Sequence, residues 1–385
     1  MALRNNTWKL NQWYDQDVAG NVSYSGSPEL WAWGRNENGD LAQNNRTYYS
    51  SPVQIPGTTW SSLARGWDNN SHPEFLGALK SDGTLWIWGK NDQGQLGQNQ
   101  ASAQLTGASS PVQIPGTDWV ASDFGYQACA AIKTDGTLWV WGRNSFGGLG
   151  QNEGPGNERS SPTQVPGTTW TTQISGGDYN WIAIKTDGTL WNWGNNSQGQ
   201  LGQNNTTRVS SPVQVGSGTD WSKVGKAYRS QGAIKTDGTL WVWGQNEQGV
   251  LGQNQPDTTD LSSPTQLPGT WSSWSGSSEG SGGIRTDGTL WSWGHNDKGQ
   301  LGLNNTTEYS SPVQVGSGTD WSKSIFGTKS LGLKTDGTLW TWGNNVPSGQ
   351  LGQNNETLYS SPVQIPGNWS DITAGDQSSV ALKNV

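Results

Sequence analysis

Cysteine and histidine are nearly absent from this chain of 385 residues. Cys129 is the single cysteine, so no disulfide can form within the chain and the fold must be held by packing alone. The two histidines, His72 and His295, lie in different repeats. The sequence therefore does not support a Ser-His-Asp or Cys-His catalytic site, nor a zinc site built from several histidines. We therefore predict a protein that is not an enzyme and that uses no metal ion or cofactor.

Basic charge and long apolar stretches are also lacking. The chain has 30 Asp and Glu against 22 Lys and Arg, a net charge of −8, so the basic excess typical of proteins that bind nucleic acid or anionic membranes is missing. No apolar run approaches the roughly 18 residues that a transmembrane helix needs. The first residues also lack the apolar core of a secretory signal. We expect no nucleic-acid partner and no membrane insertion.

Tryptophan and glycine are abundant instead. The 26 tryptophans supply large apolar surfaces, which compensate for the small number of aliphatic side chains. The 55 glycines and 17 prolines disfavour long helices and favour turns. This composition predicts a folded, turn-rich, all-β protein with a tryptophan core.

One motif, Leu-Trp-x-Trp-Gly, occurs seven times along the chain. Successive copies are about 50 residues apart, close to the length that four strands and their turns occupy in a propeller blade. The sequence therefore predicts an all-β fold, a seven-bladed β-propeller. The copies begin at Leu30, Leu85, Leu138, Leu190, Leu240, Leu290 and Leu339.

Local patterns predict how each repeat folds. In residues 131–142, Asp135-Gly136 separates two apolar segments, which predicts a type I′ hairpin in which the aspartate serves the turn rather than a catalytic site. Trp139 and Trp141 would share one face of the next strand, and the variable residue between them, here Val140, is expected in a less demanding environment. The amides of the recurrent Gln-Leu-Gly-Gln-Asn segment are expected to form hydrogen bonds between neighbouring blades.

The two ends of the repeat region complement each other. Residues 379–383 match the strand that precedes each Asp-Gly turn, but no Leu-Trp-x-Trp strand follows them. The first copy, residues 30–34, lacks that preceding strand. We expect these two strands to pair and to close the ring, which leaves no open sheet edge at the join. The predicted organisation is an N-terminal extension, 1–27, and a propeller, 28–385.

The repeated string Asp-Gly-Thr-Leu-Trp-x-Trp-Gly-x-Asn-x-x-Gly-Gln-Leu-Gly, followed by Pro-Val, resembles the regulator of chromosome condensation (RCC1) repeat over residues 28–385. The resemblance implies a seven-bladed β-propeller. The best-known member of that family exchanges nucleotide on a small GTPase and contacts chromatin. This sequence has no basic tail, and most of its repeats lack the histidine of the family's Gly-x-x-His-Ser segment, so no exchange-factor residue is carried over.

Residues 1–16, from Met1 to Gln16, resemble the opening of RCC1-like proteins encoded by marine phages. This resemblance implies a protein of a virion or of an infected cell. Trp8, Trp13 and Tyr14 lie in this extension. They are predicted either to anchor the propeller to a larger assembly or to cover one end of the ring.

The positions at which the repeats differ predict a binding surface. A recurrent tryptophan, for example Trp119, is predicted to begin the fourth strand of each repeat. Between this tryptophan and the next Asp-Gly turn the chain diverges, and in a closed ring the equivalent turns lie on one face. Aromatic and arginine side chains on a rigid scaffold are typical of binding hot spots. The alternative is drift in unconstrained loops. The predicted binding residues are Trp67, Asp68, Tyr126, Asp178, Tyr179, Tyr228, Arg229 and Lys329.

These observations favour a non-enzymatic recognition or assembly module. Our main interpretation is a phage virion protein whose propeller contacts a protein or glycan of the host surface, and whose extension contacts other virion proteins. The alternative is a cytoplasmic regulatory module of RCC1 type that binds a GTPase-like partner. A propeller lyase or hydrolase is the least supported, because acid and base residues do not converge in the sequence.

Overall fold

The computed structural model describes residues 27–64, 75–100, 105–225, 228–255, 258–375 and 377–384. Within these ranges the chain is built from β-strands, with two short 3-10 helices at Ser145–Gly147 and Glu247–Gly249. In chain order the strands are β1 (Glu29–Gly34), β2 (Tyr49–Ile55), β3 (Trp60–Ala64), β4 (Phe75–Lys80), β5 (Leu85–Lys90), β6 (Gly107–Gln113), β7 (Trp119–Phe124), β8 (Ala128–Lys133), β9 (Leu138–Gly142), β10 (Arg159–Gln164), β11 (Trp170–Gly176), β12 (Asn180–Lys185), β13 (Leu190–Gly194), β14 (Val209–Gln214), β15 (Trp221–Gly225), β16 (Ser230–Lys235), β17 (Thr239–Gly244), β18 (Leu261–Gly276), β19 (Gly280–Arg285), β20 (Leu290–Gly294), β21 (Tyr309–Gln314), β22 (Trp321–Ile325), β23 (Lys329–Lys334), β24 (Leu339–Gly343), β25 (Tyr359–Ile365), β26 (Trp369–Ala374) and β27 (Ser378–Lys383).

The strands form antiparallel sheets that follow the repeats. Unit 1 has the order β26-β27-β1-β2, and units 2, 3, 4 and 7 are β3–β6, β7–β10, β11–β14 and β22–β25. A seven-stranded sheet, β15–β21, contains units 5 and 6, which share β18: the part from Leu261 to Thr270 pairs with β17, and the part from Trp271 pairs with β19. Each unit therefore has four strands, and the all-β propeller fold predicted from the sequence is confirmed.

The chain ends meet in unit 1. Strand β1 pairs with β27 over six residues, from Glu29 opposite Lys383 to Gly34 opposite Ser378. The first strands of successive units also contact each other, and the first strand of unit 7 contacts that of unit 1. The pairing that the sequence of the two ends predicted is therefore present.

The hairpin between the second and third strands differs from the predicted type. Gly136 has φ of 76°, but neither Thr134 nor Asp135 has a positive φ, whereas a type I′ turn needs positive φ at both central residues. The amide of Gly136 donates to the carbonyl of Lys133 at 3.0 Å. Asp135 Oδ1 accepts from both the amide and the hydroxyl of Thr137, at 2.9 and 2.7 Å. The aspartate is thus a turn residue, as expected. Of Thr134, Asp135 and Gly136, only Gly136 has a left-handed backbone conformation.

The environment of the residue between the paired tryptophans was predicted wrongly. Val140 and its six equivalents are completely buried, whereas Trp139, the first tryptophan of the motif, is only half-buried and Trp141 is completely buried. Both faces of the strand are covered, because each sheet packs between two others. Polar residues at the variable position are accommodated by hydrogen bonds: the hydroxyls of Ser292 and Thr341 donate to the carbonyls of Leu301 and Leu351, at 2.8 and 2.9 Å.

Basic side chains fill the space between tryptophans near the Asp-Gly turns. Lys133 Nζ lies 4.9 Å from the ring centroids of both Trp119 and Trp139. Five other units repeat this arrangement, and in unit 1 Lys383 lies 4.7 Å from the ring of Trp31. Such cation–π contacts explain why Lys or Arg recurs two positions before each Asp-Gly pair.

Two sets of hydrogen bonds join neighbouring units. The indole N–H of the second tryptophan in each motif donates to a backbone carbonyl of the preceding unit, at 2.8–3.1 Å, as in Trp141 to Gln95. The backbone N–H of an asparagine in each unit donates to a serine carbonyl of the next unit, at 2.6–2.8 Å; Asn354 of unit 7 donates to Ser50 of unit 1. Each set comprises seven bonds, one for each pair of neighbouring units, and includes a bond between unit 7 and unit 1.

The predicted role of the side-chain amides needs correction. Gln95 Oε1 accepts from the backbone amide of Gln93 in its own turn, and Gln98 donates to carbonyls within its own unit. The bonds between units instead come mainly from the indoles and the backbone, because the amides are occupied in holding the shape of the turn. Asn204 and Asn254 are exceptions, since the Oδ1 atom of each accepts from a serine hydroxyl of the next unit, Ser263 and Ser310 respectively.

Candidate functional site

The strand order places the described variable loops at one end of the propeller. In an antiparallel unit, the segment between the first and second strands and the segment between the third and fourth strands emerge at the same end. In unit 3 these are 125–127 and 143–158, whereas the Asp-Gly turn lies at the opposite end. We call the two ends the loop end and the turn end.

Three aromatic side chains from units 3 and 4 meet at the loop end. The rings of Tyr126 and Tyr179 lie 5.0 Å apart with an interplanar angle of 74°, and the ring of Phe146 lies 5.3 Å from that of Tyr179. Both distances are within the range of favourable aromatic contacts. Both tyrosines are half-buried, whereas 36% of Phe146 is exposed. The cluster therefore presents an apolar ring to solvent on a packed base.

Two arginines stack on these rings. The guanidinium of Arg143 lies 5.3 Å from the ring centroid of Tyr179 and donates to Gln127 Oε1 at 2.5 Å. The guanidinium of Arg208 lies 6.0 Å from the ring of Phe146. Within the part of the chain that the structure describes, no carboxylate lies within ion-pair distance of either arginine.

An ion pair continues the surface into unit 5. Arg229 Nε donates to Asp178 Oδ2 at 2.7 Å, and the guanidinium lies 4.8 Å from the ring of Tyr228. Burial raises the pKa of Asp178, and the hydrogen bond and charge of Arg229 oppose this effect. Burial is the largest effect on Arg229 and disfavours its charge, but the hydrogen bond to Asp178 and the nearby negative charges, taken together, raise the pKa of Arg229. Burial also raises the pKa of the Tyr179 phenol, which stays protonated. Arg229 is thus fixed by its partner.

Two residues of the aromatic cluster adopt an unusual backbone conformation. Phe146 and Tyr179 have φ of 58° and 61°, in the left-handed region that bulky side chains rarely adopt. Gln127, next to Tyr126, has φ of 60°. Conformations of this kind cost of order 1 kcal/mol or more and concentrate at functional sites.

The structure brings together most of the described binding residues predicted from the sequence. Tyr126, Tyr179, Tyr228 and Arg229 are half-buried at the loop end, but Asp178 is buried, with 4% exposed. The predicted binding residues Trp67 and Asp68 and the predicted anchor residues Trp8, Trp13 and Tyr14 lie outside the described residues, so their roles stay predictions.

Lys329 does not lie on an exposed face, contrary to the prediction. Its side chain is completely buried, and Nζ donates to the carbonyl of Gly375 in unit 1 at 2.6 Å. The segment between Trp321 and Lys334 is one residue shorter than its equivalent between Trp119 and Lys133. Lys329 therefore occupies the first position of a second strand, not a loop position.

Sequence reasoning missed Phe146, Arg143 and Arg208. A signal for Phe146 was present, because the equivalent position of the Asn-x-x-Gly turn is polar in other repeats, for example Gln198 and Lys298. Its contact with Tyr179 of the next unit could not be read from either repeat alone. We refer to Tyr126, Arg143, Phe146, Tyr179, Arg208, Tyr228 and Arg229 together as the aromatic–arginine patch.

Among the described residues, no group of three or more His, Cys, Asp or Glu is arranged to hold a metal ion. No helix in the described ranges has the length and apolar character needed to cross a membrane.

Curated relatives match parts of the chain. The ultraviolet-B receptor UVR8 of Arabidopsis thaliana is 27% identical over 183 residues, which cover 46% of this chain and 39% of the receptor. The mitochondrial RCC1 domain-containing protein RUG3 of the same plant is 27% identical over 248 residues, 46% of this chain and 56% of RUG3. The chain therefore spans less than two thirds of the length of these relatives. Neither is a virion protein, so they lend no support to the phage interpretation.

Solved structures share the fold over nearly the whole chain. Human WBSCR16 superimposes with a TM-score of 0.81 at 20% identity and covers 93% of this chain and 99% of its own. Prp20p from Saccharomyces cerevisiae, whose structure is reported with its binding properties to Gsp1p and histones, gives a TM-score of 0.80 at 19% identity and covers 94% and 93%.

The family model of the regulator of chromosome condensation (RCC1) repeat matches residues 82–132, 135–184, 187–225, 287–327 and 336–382, and a second model of that repeat matches residues 120–147. These matches cover more than half of the chain, and each of the five longer ones begins at the aspartate of an Asp-Gly turn in one unit and ends within the first two strands of the next unit. The chain belongs to the RCC1 repeat family.

Proposed function

We propose that this RCC1-repeat protein is a non-catalytic module that binds a protein partner through the aromatic–arginine patch. The observation that carries the proposal is the contact of Tyr126, Phe146 and Tyr179, which builds one exposed aromatic ring on a rigid base across two units. Rigid aromatic side chains lose little conformational entropy on binding and often supply most of an interface's free energy. Arginine is also enriched at binding hot spots, and two arginines stack on the same rings.

Family membership supports the general class of this function. The reported binding of Prp20p to Gsp1p and histones is a property of that protein, at 19% identity to this chain. It favours our alternative interpretation, a regulatory protein-interaction module, over the virion interpretation. A GTPase-like partner is a finer proposal within that class.

Several finer predictions stay open to test. A virion location or a glycan ligand has no support beyond the resemblance of residues 1–16 to phage proteins. A cytoplasmic location is compatible with the cellular relatives. The division into an extension, 1–27, and a propeller, 28–385, is retained as a proposal.

The experiment that tests the proposal places a photo-crosslinking benzophenylalanine at Phe146 in the cells that produce the protein. The matched control is Val120 of the same unit, which is 41% exposed but lies on β7 toward the turn end. We expect a discrete protein adduct at position 146 and none at position 120. The adduct at 146 should be lost when Tyr126 and Tyr179 are both changed to alanine while the melting temperature shows that the propeller is still folded.

Two results would overturn the proposal. One is the same set of adducts at both positions, which would indicate non-specific contact. The other is an adduct at position 146 that persists after the double tyrosine change, because the aromatic base would then not be needed for binding.

A further inference from the structure

We propose that the aromatic–arginine patch recognises an acidic segment of its partner, with carboxylates bound by Arg143 and Arg208 and an apolar side chain seated on Phe146. This inference rests on the proposed function and adds the chemistry of the partner.

Arg143 and Arg208 have no carboxylate within ion-pair distance among the described residues; Arg46 shares this property, but Arg143 and Arg208 also stack on rings of the patch. Most other basic side chains near the loop end form an ion pair with an acidic neighbour. The nitrogen–oxygen distances are 2.9 Å for Lys90 Nζ to Asp92 Oδ2, 2.7 Å for Arg159 Nη2 to Glu153 Oε2, and 2.7 Å for Arg229 Nε to Asp178 Oδ2. Arg143 donates to the neutral amide of Gln127, and its charge acts on Asp178 only from beyond ion-pair distance. A guanidinium has five N–H donors in a planar fork that matches a carboxylate, so Arg143 keeps donors for a ligand.

The aromatic rings hold both guanidiniums in place before a ligand arrives. Stacking of Arg143 on Tyr179 and of Arg208 on Phe146 restricts the side chains, so less conformational entropy is lost on binding. Phe146 contacts both Tyr179 and Arg208. A ligand that bridges the two arginines would therefore pass over its exposed ring, which favours an apolar side chain between the carboxylates.

The local charge is opposite to that of the whole chain. The patch contains Arg143, Arg208 and Arg229, and the one carboxylate in direct contact with them is Asp178, whereas the protein has a net charge of −8. The same loops of unit 6 are acidic: Glu308 Oε1 lies 3.2 Å from His295 Nε2, and Asp297 Oδ1 lies 3.6 Å from Nδ1. An acidic segment would thus be attracted to the arginines of the patch and repelled from the carboxylates of unit 6, which favours the patch as its position on the loop end.

Fluorescence anisotropy with two labelled peptides tests the proposal on the full-length protein. The first is a short peptide of alternating glutamate and leucine, and the second has glutamine in place of every glutamate. We expect the parent to bind the glutamate peptide, with an affinity that falls about tenfold for Arg143→Gln and for Arg208→Gln, as for loss of a charge-assisted hydrogen bond. Binding should weaken between about 0.05 M and about 0.5 M NaCl, because salt screens exposed charges.

Arg46→Gln is the matched control. Arg46 is an exposed arginine in the corresponding loop of unit 1, so its replacement changes the net charge equally at a site remote from the patch. We expect its affinity for the glutamate peptide to stay within about twofold of the parent value. Equal binding of the two peptides, or an equal loss for Arg46→Gln and Arg208→Gln, would overturn the proposal.

The two proposals fail in distinguishable ways. If the parent does not bind the glutamate peptide but the adduct at position 146 forms in cells, the acidic chemistry is wrong and the binding surface stands. If neither is observed, both proposals are wrong.

Discussion

At the scale of single residues, the exposed ring of Phe146 stands on a backbone conformation that phenylalanine disfavours. A left-handed conformation costs roughly 1–2 kcal/mol for an ordinary residue, and asparagine tolerates it better. Gln248 occupies the equivalent position in unit 5, with φ of 59° against 58° for Phe146, so the chain contains two copies of the same strained turn. Only the copy in unit 3 carries an aromatic ring.

The turns at Phe146 and Gln248 predict that a substitution at Phe146 will weaken binding with little effect on stability. We expect Phe146→Asn to change the free energy of unfolding by less than about 0.5 kcal/mol, because relief of strain offsets the loss of ring contacts. Its binding to the partner or to the glutamate peptide should fall about 30-fold, the loss typical of a hot-spot residue. Gln248→Asn should raise stability and leave binding unchanged. Urea unfolding and anisotropy measure the two effects; a large loss of stability in Phe146→Asn would instead make the ring a structural residue.

How far the sequence predicts this site can be seen at the same scale. Tyr126, Tyr179, Tyr228 and Arg229 were found because the repeats differ there, and divergence within a fixed frame points to individual contacts. Lys329 was misplaced, because a one-residue deletion shifts the frame and moves that position into a buried strand. Phe146, Arg143 and Arg208 were not predicted, because their place in the patch depends on ring contacts between units 3 and 4, and spacing within one repeat carries no information on such contacts.

At the scale of the structural element, the Asp-Gly hairpin is the most regular feature of the chain. Six aspartates accept hydrogen bonds from the threonine two positions later, and in each case these bonds hold the pKa of the carboxyl below its ordinary value. For Asp135 the largest cause is the hydroxyl of Thr137. The hairpin was predictable from the sequence, but its turn type was not, because Asp-Gly is compatible with more than one turn.

These lowered pKa values predict how stability depends on pH. A carboxyl whose pKa is lower in the folded than in the unfolded state contributes stability above its unfolded pKa of about 4, and that contribution is lost as the pH falls through the folded pKa. Unfolding measured between about pH 5 and about pH 2 should therefore show a loss of stability for the parent. Asparagine at all six positions should reduce the loss of stability in acid, because the amide oxygen still accepts the hydrogen bonds and the amide group does not titrate. The substituted residues are Asp82, Asp135, Asp187, Asp237, Asp287 and Asp336.

A variant with three of the six changes serves as the control for this experiment. Its loss of stability in acid should lie about midway between those of the parent and the fully substituted chain, since distant sites add independently. An unchanged acid transition in the fully substituted chain would show that other carboxyls control acid unfolding.

At the scale of the whole molecule, the pairing of β1 with β27 joins the two ends of the chain without a covalent bond. Strand β27 lies between β26 and β1, and Val380, Ala381 and Leu382 are almost completely buried. The complementary ends made this pairing predictable. The hydrogen bonds between units were not, because the indole N–H groups find carbonyls more than 40 residues away in the sequence.

Removal of residues 378–385 tests this join. We expect a fall in melting temperature and in solubility, because the deletion takes a central strand from unit 1 and exposes the edges of β1 and β26. Removal of residues 384 and 385 alone, which leaves β27 intact, is the control and should change the melting temperature little. Calorimetry compares the three chains; equal melting temperatures for the parent and the longer deletion would mean that the pairing contributes nothing to stability.

The bonds between units also have a direction around the ring. Every unit directs an indole donor toward the unit before it and a backbone amide toward the unit after it, so each joint is heterologous: the two surfaces that meet differ from each other. Heterologous joints produce a closed ring when the rotation between units completes a circle and an open filament when it does not. A molecule in which β27 separated from β1 would present two different and complementary strand edges, and the β27 edge of one molecule would fit the β1 edge of another. The short pairing of β1 with β27 therefore also acts against head-to-tail polymerisation, because it occupies within one chain the surfaces through which separate chains would assemble.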